Sequence, residues 1–121
     1  MFGKFLKKSE KNNFDLGRVD LIEENQIEEI LNLSKQKPVL LFKHSTRCGV
    51  SNMVLKRFEK KLKKEEKEFY YFYLDLLQNR GLSNYVSEKF DIPHQSPQLI
   101  VIKEGKVSSH NSHFGIMDIE F

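Results

Sequence analysis

The residues best placed to do chemistry lie between Pro38 and Ser51, PVLLFKHSTRCGVS, a stretch that holds Cys48, the single cysteine of the chain. A short apolar run, Val39 to Phe42, empties into a polar turn, and a helical pattern of Val50, Val54, Leu55, Phe58 and Leu62 follows at once. Cys48 is therefore expected in the first turn of a helix, near the positive end of its dipole. Thiolate is the reactive form of cysteine, and a helix N-terminus or a nearby cation favours it. Arg47 is adjacent and Lys43 and His44 close the incoming strand, so the local field is expected to favour the anion. Ser51 stands three residues on, where its hydroxyl can point back toward the sulfur. A serine there also removes the second thiol with which a C-x-x-C pair closes an internal disulfide. Most free cysteines are instead small buried hydrophobes. The polar neighbours His44, Ser45, Thr46 and Arg47 would make a poor apolar pocket, which weighs against that reading.

A second candidate is Gln95 to Leu99, QSPQL, where Pro97 stands directly before an apolar strand. The Ser96–Pro97 bond is open to the cis form, which leaves the main chain of Ser96 free to pair with an extended thiol substrate. A trans proline that merely starts the strand is the competing reading. His110 and His113 form H-x-x-H, but without a second cysteine or a carboxylate at matching spacing they fall short of a metal site.

These residues need a scaffold, and hydrophobic periodicity supplies one. A short strand is expected around Arg18 to Ile22, then a helix with Asn25 and Glu28 as a capping box and Ile27, Ile30, Leu31 and Leu33 as its apolar face. The Val39 to Phe42 strand and the Cys48 helix come next, followed by an aromatic strand, Phe69 to Leu74. Asp75 caps the turn after it. A helix carrying Leu82, Tyr85, Val86 and Phe90, capped by Asn79 or Ser83, ends at Pro93. Gln98 to Ile102 and Val107 to His110 form a hairpin about Lys103 to Lys106, and a short helix, Phe114 to Phe121, closes the chain. The order is β-α-β-α-β-α-β-β-α: an α/β fold with a central, mostly parallel sheet, a C-terminal β-hairpin and helices on both faces.

At 121 residues the chain is expected to form one domain, residues 14–121, behind a flexible basic tail, residues 1–13. Its 20 basic and 17 acidic residues interleave to a net charge of +3, which reads as a solvated surface with no nucleic-acid partner. Lys56 to Lys67 reads as a solvated helix face with supporting i, i+4 pairs. One cysteine, no long apolar run and no signal peptide point to a cytoplasmic monomer with no integral membrane segment.

PVLLFKHSTRCGVS, YLDLLQNRGLSN (Tyr73 to Asn84), HQSPQLIVIKEGK (His94 to Lys106) and SHFGI (Ser112 to Ile116) together resemble the thioredoxin-like superfamily, and within it the monothiol bacilliredoxins of the YtxJ type. The resemblance implies removal of bacillithiol, a small thiol joining cysteine to a glucosamine malate, from mixed disulfides on client proteins. Cys48 would be the nucleophile, and a second bacillithiol would serve as co-substrate, with no tightly bound cofactor. Ser96 and Pro97 would hold the cysteinyl part. Arg47, with Lys43 and Arg80 behind it, would meet the malate carboxylates, although plain surface charge explains these cations equally well. The chain departs from the family pattern in the Gly49–Val50 pair after the cysteine and in its short last helix. Cys48-Gly49-Val50-Ser51 also resembles the C-G-F-S of iron–sulfur-carrying monothiol glutaredoxins, but their Gly-Gly-Cys-Asp segment is missing from SSHNSHFGIMD. A third alternative is a non-catalytic thioredoxin-like adaptor.

Overall fold

The computed structural model describes residues 16–121. The expected tail, residues 1–13, lies outside them. The elements are β1 (Val19–Asp20), α1 (Asn25–Leu33), β2 (Val39–His44), α2 (Gly49–Leu62), β3 (Tyr70–Asp75), α3 (Arg80–Phe90), β4 (Gln98–Lys103), β5 (Lys106–Ser112) and a 3-10 helix (His113–Asp118).

β2 is the central strand, in the order β1-β3-β2-β4-β5, and all six of its residues are buried. It pairs in parallel with β3 and antiparallel with β4, while β1 joins β3 in parallel and β5 returns antiparallel along β4. β4 alone therefore runs against the other four strands, so the sheet is mixed in its pairings. Alternation along the strands builds two cores. Val39, Leu41, Phe72, Ile100 and Ile102 meet Ile27, Ile30 and Leu33 of α1 and Leu82 and Val86 of α3. Leu40, Phe42, Tyr71, Leu99 and Val101 meet Val54, Phe58 and Leu62 of α2 together with Ile116, Ile119 and Phe121. Helices thus cover both faces, as expected.

Three local expectations change. Asn25 and Glu28 make no capping box: Glu24 holds the cap position in helical conformation without a side-chain bond. Gln26 acts instead, its Oε1 accepting from the amides of Ile22 and Glu23 and its Nε2 donating to Asp20 O. The last helix is a 3-10 turn that ends at Asp118, yet Ile116, Ile119 and Phe121 beyond and within it are buried. Lys56 to Lys67 forms no i, i+4 ion pair among the described residues: Glu59 pairs with Arg18, and Glu65 Oε2 accepts from Lys67 N.

Candidate active site

The β2–α2 connection delivers Cys48 to the N-cap of α2, one position before the first turn, with extended backbone (φ −101°, ψ 121°). Its amide donates to Ser45 O at 3.1 Å and its carbonyl accepts from Asn52 N at 3.0 Å, so the turn is held from both ends. The half-buried sulfur is a free thiol with no hydrogen-bond partner among the described residues. It stands where the unpaired amides of a 14-residue helix begin.

Ser51 is fully buried, and its hydroxyl is engaged by His44 and Ser45, with no hydrogen bond to Cys48 among the described residues. The Oγ lies 2.7 Å from His44 Nδ1 and accepts from Ser45 N at 3.1 Å. Ser51 therefore braces the end of β2 against the first turn of α2, a positioning role. His44 is itself buried, and burial pushes its pKa below the ordinary histidine value, with Asn52 and Asp75 acting weakly the other way. It is a neutral hydrogen-bonding partner near neutral pH, so the sequence expectation of a cation there is corrected.

Lys43 corrects the expectation more sharply. Strand alternation sends it to the α1/α3 face, with Val39 and Leu41, and it has no exposed surface. Its Nζ donates to Ser83 O at 3.2 Å and Ser87 Oγ at 3.3 Å and lies 3.4 Å from His94 Nδ1. Desolvation lowers its pKa to about 8. Lys43 presents no surface to a small thiol. The period-two alternation of a strand covered on both faces was the sequence signal for this burial.

The Ser96–Pro97 bond is cis. Because Lys43 pairs with Gln98, Pro97 falls opposite His44, at the sheet edge from which the Cys48 turn departs. Pro97 is buried and its carbonyl accepts from His113 N at 2.9 Å, while the buried Oγ of Ser96 has no partner among the described residues. Gln98, missed in the sequence, is fixed beneath this bend by its Nε2 donating to Pro93 O.

Arg47 and Arg80 come together. Both are exposed, and with Thr46, Leu77 and Gln78 they line a hollow of about 400 Å³ beside the Cys48 turn. Its second wall is the β3–α3 turn, shaped by Leu77 N donating to Asp75 Oδ1 at 3.1 Å and tied to β2 by Leu76 N donating to His44 O at 2.9 Å. Asp75 caps this turn as the sequence suggested. His110 lies on β5 and His113 opens the 3-10 helix; among the described residues no cluster of three or more His, Cys, Asp or Glu side chains is arranged to hold a metal.

This arrangement offers one free thiol, a cis-proline bend at the same sheet edge and two guanidinium groups that suit carboxylates. A family model described as monothiol bacilliredoxin BrxC matches residues 19–120. Among solved structures, one described as a candidate oxidoreductase with a thioredoxin fold is 28% identical, with TM-score 0.71, over 82% of this chain and 85% of that one. A Schistosoma mansoni thioredoxin is similar at TM-score 0.64 and 20% identity, covering 84% of this chain and 90% of that one. A Fasciola hepatica thioredoxin gives TM-score 0.65 and 19% identity, covering 82% and 89%. The two thioredoxins share the fold.

Proposed function

Because this thioredoxin-fold chain belongs to the monothiol bacilliredoxin family, we propose that it is an oxidoreductase that strips bacillithiol from client proteins through Cys48. The observation that carries this reading is an unpartnered sulfur at the N-cap of α2 beside a hollow lined by two arginines.

The Cys48 thiolate attacks the bacillithiol sulfur of the client's mixed disulfide. The client sulfur leaves with the bonding electron pair and takes up a proton, and a Cys48–bacillithiol disulfide forms. A second bacillithiol, as thiolate, attacks the bacillithiol sulfur of that adduct and releases Cys48. In sum one mixed disulfide and one free bacillithiol become the client thiol and bacillithiol's symmetric disulfide, so one disulfide is exchanged for another and no second protein cysteine is consumed. Ser96 and Pro97 line the cysteinyl end, and Arg47 and Arg80 receive the malate carboxylates in the hollow. A reducing cytoplasm suits a reaction reset by a free thiol.

Intact-mass spectrometry tests the reading directly. The reduced protein and Cys48→Ser are each mixed with a bacillithiolated client, and both partners are weighed over time. The client should lose its adduct with the wild type alone, which should gain one bacillithiol mass. A client that stays modified while Cys48 stays free removes the proposal for this thiol.

A further inference from the structure

Folding separates charges that the sequence interleaves. The buried stripe of α2 is Ser51, Val54, Phe58 and Leu62. Its opposite face shows Val50 and Met53, each 37% exposed, beside Cys48. Exposed Lys56, Arg57 and Lys60 continue that face, and Lys63 and Lys64 extend it past the helix end. None of these five cations forms an ion pair or a side-chain hydrogen bond among the described residues. The helix's one carboxylate, Glu59, is turned aside to Arg18 NH1 at 2.7 Å and the Tyr71 hydroxyl at 2.8 Å. On the other flank Lys61 donates to the carbonyls of Met117 and Ile119. By contrast α1, across the sheet, carries Glu28 and Glu29 and no cation.

Nothing in the fold calls for that pattern. Like charges at i, i+4, as in Lys56 with Lys60, weaken a helix. The helix dipole compensates cations only in the last turn, which leaves out Lys56 and Arg57. The cationic stripe is also continuous with the sulfur: at 1.5 Å per residue, Arg57 and Lys60 lie roughly 14–18 Å along the axis from Cys48, with the apolar pair between. A partner held on this stripe has its disulfide within reach of the nucleophile. The stripe has no aromatic platform for nucleic-acid bases, and two apolar side chains are too few to enter a lipid surface.

We infer that the exposed face of α2 is the docking surface for client proteins, and that it fits clients bearing an apolar side chain at the modified cysteine and an acidic segment roughly 14–18 Å away. This rests on the proposed role of Cys48 and names the class of client it serves.

The test uses two fluorescent peptides, each with one bacillithiolated cysteine. They are identical except for a run of aspartates or of asparagines about five residues away, an extended span of roughly 17 Å. Binding to full-length Cys48→Ser, read by anisotropy at low ionic strength, should favour the aspartate peptide about tenfold. The preference should vanish at high salt and in Arg57→Glu/Lys60→Glu/Lys64→Glu, checked for an unchanged circular dichroism spectrum. With Cys48 intact, the triple variant should process the asparagine peptide at the wild-type rate. Equal binding of the two peptides overturns the inference, as does a preference that survives the triple substitution. Charge-sensitive binding to vesicles of phosphatidylcholine and phosphatidylglycerol in place of the aspartate peptide overturns it too. Since docking is read without the thiol, failure of adduct transfer in the wild type would be a separate result, against the exchange reaction itself.

Discussion

Neighbouring positions on β2 send two polar side chains to opposite faces of the sheet, and each has a measurable signature. His44 and Ser51 brace the start of α2, with Ser45 N as a third member. Ser51→Ala would leave the amide of Ser45 and the ring nitrogen of His44 unpaired inside the protein. Urea unfolding should show a loss of about 1–3 kcal/mol; a loss within error would mean that the brace contributes nothing. Lys43 is charged at neutral pH but held in a desolvated site, with a folded pKa of about 8 against an ordinary 10.5. Below pH 8 the folded and unfolded states both hold the proton, so its penalty is constant. Between about 8 and 10.5 the unfolded state binds more protons, and stability rises with pH by on the order of 3 kcal/mol. The stability of the wild type relative to Lys43→Met should therefore climb across that window, and a flat difference would refute the assignment.

Elements were legible where the information is local. The run Val39 to Phe42, the helical spacing of Val54, Phe58 and Leu62 and the Glu104–Gly105 turn of the hairpin all appear where periodicity and turn chemistry place them. Element ends were less legible, because they depend on partners from elsewhere. The start of α1 is set by Gln26 reaching back to Asp20 of β1, a two-residue strand that is itself held by pairing with β3. The end of α1 is joined to the hairpin: Ser34 O accepts from Glu104 N and Ser34 Oγ accepts from Gly105 N, both at 2.9 Å. Ser34→Ala should cost about 1–2 kcal/mol in urea unfolding by leaving the Gly105 amide unsatisfied, while Cys48 exchange with a small disulfide stays at the wild-type rate. A change in that rate would mean that the hairpin communicates with the site. At the other end, His113 with φ 55° turns the chain out of β5 straight into a tight 3-10 turn, where apolar spacing alone suggested an ordinary helix.

At the scale of the whole molecule, the site exists only because separate β–α turns meet. Arg47 belongs to the turn after β2 and Arg80 to the start of α3, and the hollow forms where the two turns abut. Replacing both with alanine should raise KM for a bacillithiolated substrate about tenfold with kcat little changed, since carboxylate contacts of this kind hold ground state and transition state alike. A neutral small disulfide should be processed as before, and an equal loss on both substrates would assign the arginines to folding instead. By itself the sequence determined the candidate nucleophile, the strand–turn–helix that presents it, the place of the proline, the hairpin and the family resemblance, while the cis state of Ser96–Pro97 came from the structure. Those features are written within short runs of consecutive residues, where periodicity and turn chemistry act. Only the tertiary structure decided which of the cations near Cys48 in sequence stand near it in space. Cross-strand pairing withdrew Lys43 to the far face, burial left His44 neutral, and the packing of α3 brought Arg80 alongside Arg47. It also decided that the exposed face of α2 carries one sign of charge. The partners that neutralise Glu59 and occupy Lys61 are Arg18, just before β1, and the carbonyls of Met117 and Ile119 near the end of the chain, all far from α2 in sequence, so no local pattern encodes them.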